Sequence, residues 1–321
     1  MARLSRRAMV GLLSLAAGAP AGVGWWLWQR RRGAFALFRR LPRENLLLAY
    51  LDLERLRRAR SLAPLLRKRV EPDPDYAAFV SKTGFDYERD LDGAAVCYLP
   101  DRVYILGRGR FDPARLREYA LAHGGGCEGS APSQPCRMPA GRPGRQISFL
   151  MPAGGLLALA TAPEPDAVRQ LEPSEAAASA EPLAQAVSAM RRDPPLLWAT
   201  ATPRSLEQLL SATPELSPNL ALVSRALAEA ERIYLFVHEA GGGLELSLQA
   251  GCPTEDKAEE IRRLLQGLMD LIGGLMRSAR GEKPAGDWEK VLAAAGIDRA
   301  GKTVRASWKL DAAALESLGA P

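Results

Sequence analysis

LLLAYLDL, residues 46–53, is the stretch on which the reading of the fold turns. Seven of its eight residues are apolar, which leaves no polar face for a surface helix, and eight residues are too few for a helix to stand alone. It reads as a buried strand. A helix is expected over residues 54–69, ended by Pro72-Asp73-Pro74, and a shorter one capped by Asp75 runs to Thr83 and stops at Gly84. Residues 94–99 and 102–108 form a hairpin about Pro100-Asp101. Asp112 and Pro113 supply an N-cap and a first-turn proline for a helix that ends at His123. A Gly-, Pro- and Ser-rich loop occupies residues 124–144. Strands at 146–151 and 156–161 and a helix at 165–171 follow.

The second half repeats this order. Residues 196–202 are a strand, 204–212 and 219–230 helices, and 232–238 pairs with 244–250 across Gly241-Gly242-Gly243. A long helix from Thr254 to about Arg280 leads to a short helix near 287–295, a strand over 303–310 and a final helix capped by Asp311. The last strand alternates most clearly, with Val304, Ala306, Trp308 and Leu310 on one face. Strand, helices, hairpin, helix, strand is the βαββαβ order of a ferredoxin-like unit. The expected class is α+β: an N-terminal transmembrane helix, then two ferredoxin-like halves with mainly antiparallel sheets. The expected divisions are 1–40 (signal anchor and basic flank), 41–172 (first half), 173–193 (linker and connecting helix) and 194–321 (second half).

The membrane expectation rests on residues 8–28, AMVGLLSLAAGAPAGVGWWLW, an uncharged run close to the ~20 residues that cross a bilayer as a helix. Trp25, Trp26 and Trp28 gather at one end, where indole rings favour the interface. The net charge of +6 is concentrated here: residues 1–40 hold eight arginines and no acid, leaving 35 basic against 37 acidic residues beyond. The body is slightly acidic, so nucleic acid is not expected as a partner.

Three readings of the segment compete. An uncleaved anchor would leave a single-pass protein with its body on the extracytoplasmic, periplasmic side of the cytoplasmic membrane. A cleaved signal peptide is offered by Ala17-Gly18-Ala19 and Ala19-Pro20-Ala21. The arginine surplus on the C-terminal flank favours the inverse orientation under the positive-inside rule. Ser5-Arg6-Arg7 also matches a twin-arginine export signal weakly, and the absence of cysteine before Cys97 excludes an N-terminal lipoprotein anchor.

Three stretches, LPRENLLLAYLDLERLRRA (41–59), KTGFDYERDLDGAAVCYL (82–99) and RGRFDPARLREYALAHGG (108–125), resemble a family of uncharacterised bacterial proteins. Members carry an N-terminal membrane anchor and a two-part extracytoplasmic α+β body, which opens with a proline and a strand ending in an acidic residue. The resemblance implies location and architecture. It brings no catalytic residue.

No catalytic, metal or cofactor motif is legible, and none of the three is expected. The two histidines, His123 and His238, sit outside any nucleophile motif. Asp86, Glu88, Asp90 and Asp92 are the densest acids, but twelve positions from Glu88 falls on Leu99, which fails the calcium-loop spacing. Paired C-x-x-C spacing for zinc is absent. Cys127 and Cys136 bracket a loop with little else to order it and suit a disulfide in an oxidising compartment. Cys97 and Cys252 suit buried apolar positions. The glycine-rich pieces fit neither phosphate-loop pattern.

The helix from 254 to 280 carries a wide apolar stripe, Ile261, Leu264, Leu265, Leu268, Leu271, Ile272, Leu275 and Met276, widened by Met269. Most of it is core. Leu265, Met269, Ile272 and Met276 are the candidates for a protein or apolar partner, since Gly267, Gly273 and Gly274 would allow close backbone approach. The expected role is a non-catalytic binding or scaffolding module. The alternative is an envelope hydrolase drawing on Asp86, Glu88, Asp90 or His238.

Overall fold

A computed structural model of the chain describes residues 37–38, 40–42, 47–59, 74–141, 143–152, 155–171, 194–212, 223–278, 295–311 and 315. The apolar run 8–28, the linker and connecting helix of 173–193 and, but for its last residue, the short helix expected near 287–295 lie outside them. Among the described residues no helix is long and apolar enough to cross a membrane.

The protein is a mixed α+β fold built on one large antiparallel sheet. Its strands are β1 (Leu47–Leu51), β2 (Leu91–Tyr98), β3 (Val103–Gly109), β4 (Gly126–Cys127), β5 (Cys136–Pro139), β6 (Gln146–Leu150), β7 (Leu156–Ala162), β8 (Leu197–Ala201), β9 (Arg232–Ala240), β10 (Gly243–Gly251), β11 (Gly296–Ala300) and β12 (Thr303–Leu310). The helices are α1 (Leu53–Arg58), α2 (Pro74–Thr83), α3 (Tyr87–Asp90), α4 (Pro113–Ala122), α5 (Pro203–Ala212) and α6 (Glu255–Ser278), with a 3₁₀ turn at Ala167–Leu171.

The order across the sheet is β11-β12-β10-β9-β8-β1-β2-β3-β7-β6-β5-β4. Each half therefore has its own sequence of neighbours, β1-β2-β3-β7-β6 and β8-β9-β10-β12-β11, and the two sequences match strand for strand. The halves join where their first strands pair, antiparallel, with Ala49 opposite Ala199 and Tyr50 opposite Trp198. Corresponding strands that pair antiparallel are related by a local two-fold, here through Ala49 and Ala199.

The strand order corrects the expectation of ferredoxin-like halves. A split βαβ unit separates the strands flanking a helix by a third strand. Here β1 and β2 flank three helices among the described residues and are nevertheless direct antiparallel neighbours, as β8 and β9 are around α5 and the helical residues 223–226. The helical segments are long hairpin connections, and two sheets are replaced by one continuous sheet.

Other boundaries move for local reasons. Helix α1 closes at Ala59, whose extended backbone ends it after six residues, so the helix expected over 54–69 is described only to Arg58. The loop 124–144 contains β4 and β5, and β11 precedes the last strand. Gly84 stops α2 in a left-handed conformation, φ 71°, which glycine adopts without Cβ strain.

The core is layered on both faces of the sheet. On one face Tyr50, Tyr104, Leu106 and Trp198 pack with Leu37, Phe38 and Leu41 and with the 3₁₀ turn through Val168 and Leu171. Phe38 meets Trp198 edge-on at 5.5 Å between centroids and Tyr50 at 5.7 Å. The packed body thus takes in Leu37 and Phe38, which the sequence reading assigns to the basic flank. On the opposite side α4 covers Phe149, Leu157 and Leu159, and α6 covers Ile233, Ala250 and Val304.

Candidate functional site

Helix α6 starts where Thr254 accepts the Lys257 backbone N–H (3.2 Å) and Glu255 and Asp256 place negative charge at the positive end of the helix dipole. Ala258, Ile261, Leu265 and Met269 follow a helical spacing and are buried. Two of the four partner-binding candidates, Leu265 and Met269, are therefore interior residues, at 3% and 6% exposure. The reason is rotational: the sequence stripe is wider than the surface the sheet can cover, and the sheet takes its Ile261–Leu265–Met269 edge. The side chains of Ile272 and Met276 lie outside the described residues. The outer edge of the stripe is instead Leu264 (52% exposed) and Leu271 (56%), with exposed Gly267 between them.

The acids of 86–92 are spent on structure. Asp86 caps α3, accepting from the Glu88 backbone N–H, and also accepts from the Tyr76 hydroxyl, both at 3.0 Å. Asp92 pairs with Arg57 at 3.1 Å. Glu88 accepts from its neighbour Tyr87 at 3.4 Å. Asp90 is buried and is gripped by Arg89 (2.7 Å) and Arg110 (3.2 Å), while it accepts the Asp86 backbone N–H. The Arg89 hydrogen bonds hold its carboxyl down to about 2. That is the opposite of what a general acid at neutral pH requires.

A pH effect follows with a definite sign. A carboxyl whose pKa is lowered by folding stabilises the folded state fully above its ordinary value of 3.8, and the contribution disappears as pH falls through about 2. Asp90→Asn is expected to lower stability at pH 7 and to flatten the dependence between pH 4 and 2. Denaturant titrations at several pH values check it, and an unchanged slope in that window would refute the assignment.

The same arginines line a groove of about 370 Å³ with Glu54, Arg57, Arg58, Arg89, Asp92 and Arg110 at its wall. Its four guanidinium groups are each paired with a carboxylate, Arg57 with Asp92, Arg58 with Glu54, and Arg89 and Arg110 with Asp90, which leaves one positive charge in excess at the groove. The sequence carries no motif for it, because its arginines are scattered from 57 to 110. Among the described residues no cluster of three or more His, Cys, Asp or Glu is placed to hold a metal.

The remaining candidates are not brought together. His123 caps α4, with Nδ1 at 2.7 Å from the Tyr119 carbonyl, and stacks on the Tyr119 ring at 3.9 Å. His238 lies on β9 opposite Glu245. Two strands, β8 and β1, stand between β9 and β2, three steps of ~4.8 Å from the acidic stretch. Burial raises the carboxyl of Asp52, but that side chain caps α1 through the Arg55 backbone N–H. Cys127 and Cys136 form a disulfide. Cys97 and Cys252 are buried free thiols; desolvation pushes the Cys97 thiol up to about 12 and raises Cys252. Neither has the thiolate character of a nucleophile.

No protein-family model matches the chain, and no curated protein matches it in sequence. Among solved structures it is similar to crystal form III of TP0453, with 10% identity, a TM-score of 0.48, and coverage of 88% of this chain and 95% of that one. Crystal form IV of TP0453 gives 8% and 0.46, covering 88% and 94%, and crystal form I gives 9% and 0.45, covering 88% and 95%.

Proposed function

We propose that this protein is a membrane-anchored, extracytoplasmic binding or scaffolding module, held by residues 8–28 with its body on the periplasmic side. The observation that carries the location is the Cys127–Cys136 disulfide, since such bonds persist in oxidising compartments. The packing of Leu37 and Phe38 into the core adds that the anchor would meet the body after only eight residues, 29–36. That is a reach of at most ~29 Å fully extended, so the body would sit close to the bilayer. A binding role is supported because the acids and histidines of the enzymatic alternative are caps, ion-pair partners or widely separated. The matching strand orders support an origin of the two halves by duplication.

A topology reporter fused after Pro321 tests the location, combined with thiol labelling of the full chain with and without reductant. An extracytoplasmic signal and two additional thiols on reduction are expected. A cytoplasmic signal with four thiols already free in the unfolded chain would overturn the proposal.

A further inference from the structure

We propose that the outer face of α6 pairs with the same helix of a second copy, antiparallel, about a two-fold axis close to Gly267. The proposal rests on the reading of the protein as an anchored binding module and names its partner. Among the described residues only four large apolar side chains are markedly exposed, Tyr87, Leu121, Leu264 and Leu271. The last two lie seven residues apart on one helix. Leu264, Gly267, Leu271 and Gly274 follow the 3-4-3 spacing of an a/d seam. Among the described residues a Cβ built on Gly267 meets nothing within 4 Å and Gly267 is exposed, so it leaves room for another backbone to come close, as small residues do at tight helix pairs.

The occupant is indicated by charge. Arg263 and Asp270 flank the seam on the side away from the core and are also seven residues apart. An axis near Gly267 brings Leu264 opposite Leu271 and Arg263 opposite Asp270 of the second copy, each pair to within one residue step, so the surface is complementary to itself, as an isologous interface must be. Among the described residues each charge is engaged only within its own helix, Arg263 with Glu259 at 2.9 Å and Asp270 with Gln266 at 3.1 Å, and Arg263 is 74% exposed. Two helical turns bury far less than the ~800 Å² per partner of a stable interface. The contact is weak in dilute solution and gains from the effective concentration that a shared membrane supplies.

The test is cross-linking of the full chain in isolated membranes under mild oxidation. Gly267→Cys puts a thiol beside the axis, and Leu121→Cys is a control at an equally exposed apolar position. Gly267→Cys is expected to give about ten times more covalent dimer than the control, a ratio worth ~1.4 kcal/mol. Leu264→Glu in the Gly267→Cys background is expected to remove that excess. Arg263→Asp should reduce it, and Arg263→Asp with Asp270→Arg should restore it, which neither aggregation nor lipid contact would do. Equal cross-linking at 267 and 121, or failure of the charge exchange to restore dimer, overturns the pairing. Either result with an extracytoplasmic reporter signal leaves the anchored-module reading standing, whereas a cytoplasmic signal with intact cross-linking removes that reading alone.

Discussion

Trp198→Ala is expected to destabilise the body by about 3–5 kcal/mol, the range for deleting a large buried aromatic side chain. Trp198 is fully buried on β8 and lies opposite Tyr50 of β1 and Phe236 of β9, with Phe38 edge-on to its ring. Its removal opens a cavity at the seam, where β1 and β8 supply the only strand pairing between the halves among the described residues. The substitution to Phe should be much milder. It costs ring volume, but it also deletes an indole N–H that is buried without a hydrogen-bond partner among the described residues, a burial worth ~1–3 kcal/mol against folding. Denaturant unfolding of the full chain in detergent checks both. A loss under about 1 kcal/mol for the Ala variant, or a Phe variant no milder than Ala, would show that Trp198 does not hold the halves together.

That seam also marks the limit of what the sequence reveals. Alternation and turn chemistry made the hairpins β2–β3, β6–β7 and β9–β10 legible, because each pairs residues close in the chain and half-buries one face. Nothing local announces that Tyr50 meets Trp198: the pairing spans about 150 residues, and period-2 patterns carry register but not partner. The missed strands share a second cause. CRMP at β5 and GIDRA at β11 carry charge and little apolar patterning, as befits strands at or near sheet edges, where charge discourages unwanted pairing. The long helix was legible as a helix, but its rotation was not. Leu264 and Leu265 are adjacent in sequence and opposite in fate, because the position of the sheet beneath decides which edge of a wide stripe is covered. The arginine groove was illegible for the same tertiary reason, its walls coming from α1, α3, the start of β2 and the residue after β3.

Replacing both Cys127 and Cys136 by alanine is expected to cost about 2–3 kcal/mol, the loop-closure contribution of a bridge spanning nine residues. The effect should be felt at the edge of the sheet. β4 and β5 share only two residue pairs, Gly126–Arg137 and Cys127–Cys136, so the bridge itself is half of their pairing. Cys136 is buried beside Leu116, Ala120 and Phe149, and alanine leaves a small void there without adding a polar group. Other bonds work in the same direction: Arg117 donates to the carbonyls of Gly129 and Ala131, and Gln134 accepts the Ala131 backbone N–H. These keep the loop from being wholly dependent on the bridge. The variant should therefore fold, melt several degrees lower, and be cut by protease first between residues 128 and 135. Reductant distinguishes the bridge from the lost side-chain volume: it should lower the melting temperature of the wild type and leave the double variant unmoved. A wild type indifferent to reductant would mean that the β5–β6 ladder, Arg117 and Gln134 hold the edge without the bridge, and the disulfide would then cease to support an oxidising compartment as a requirement of the fold.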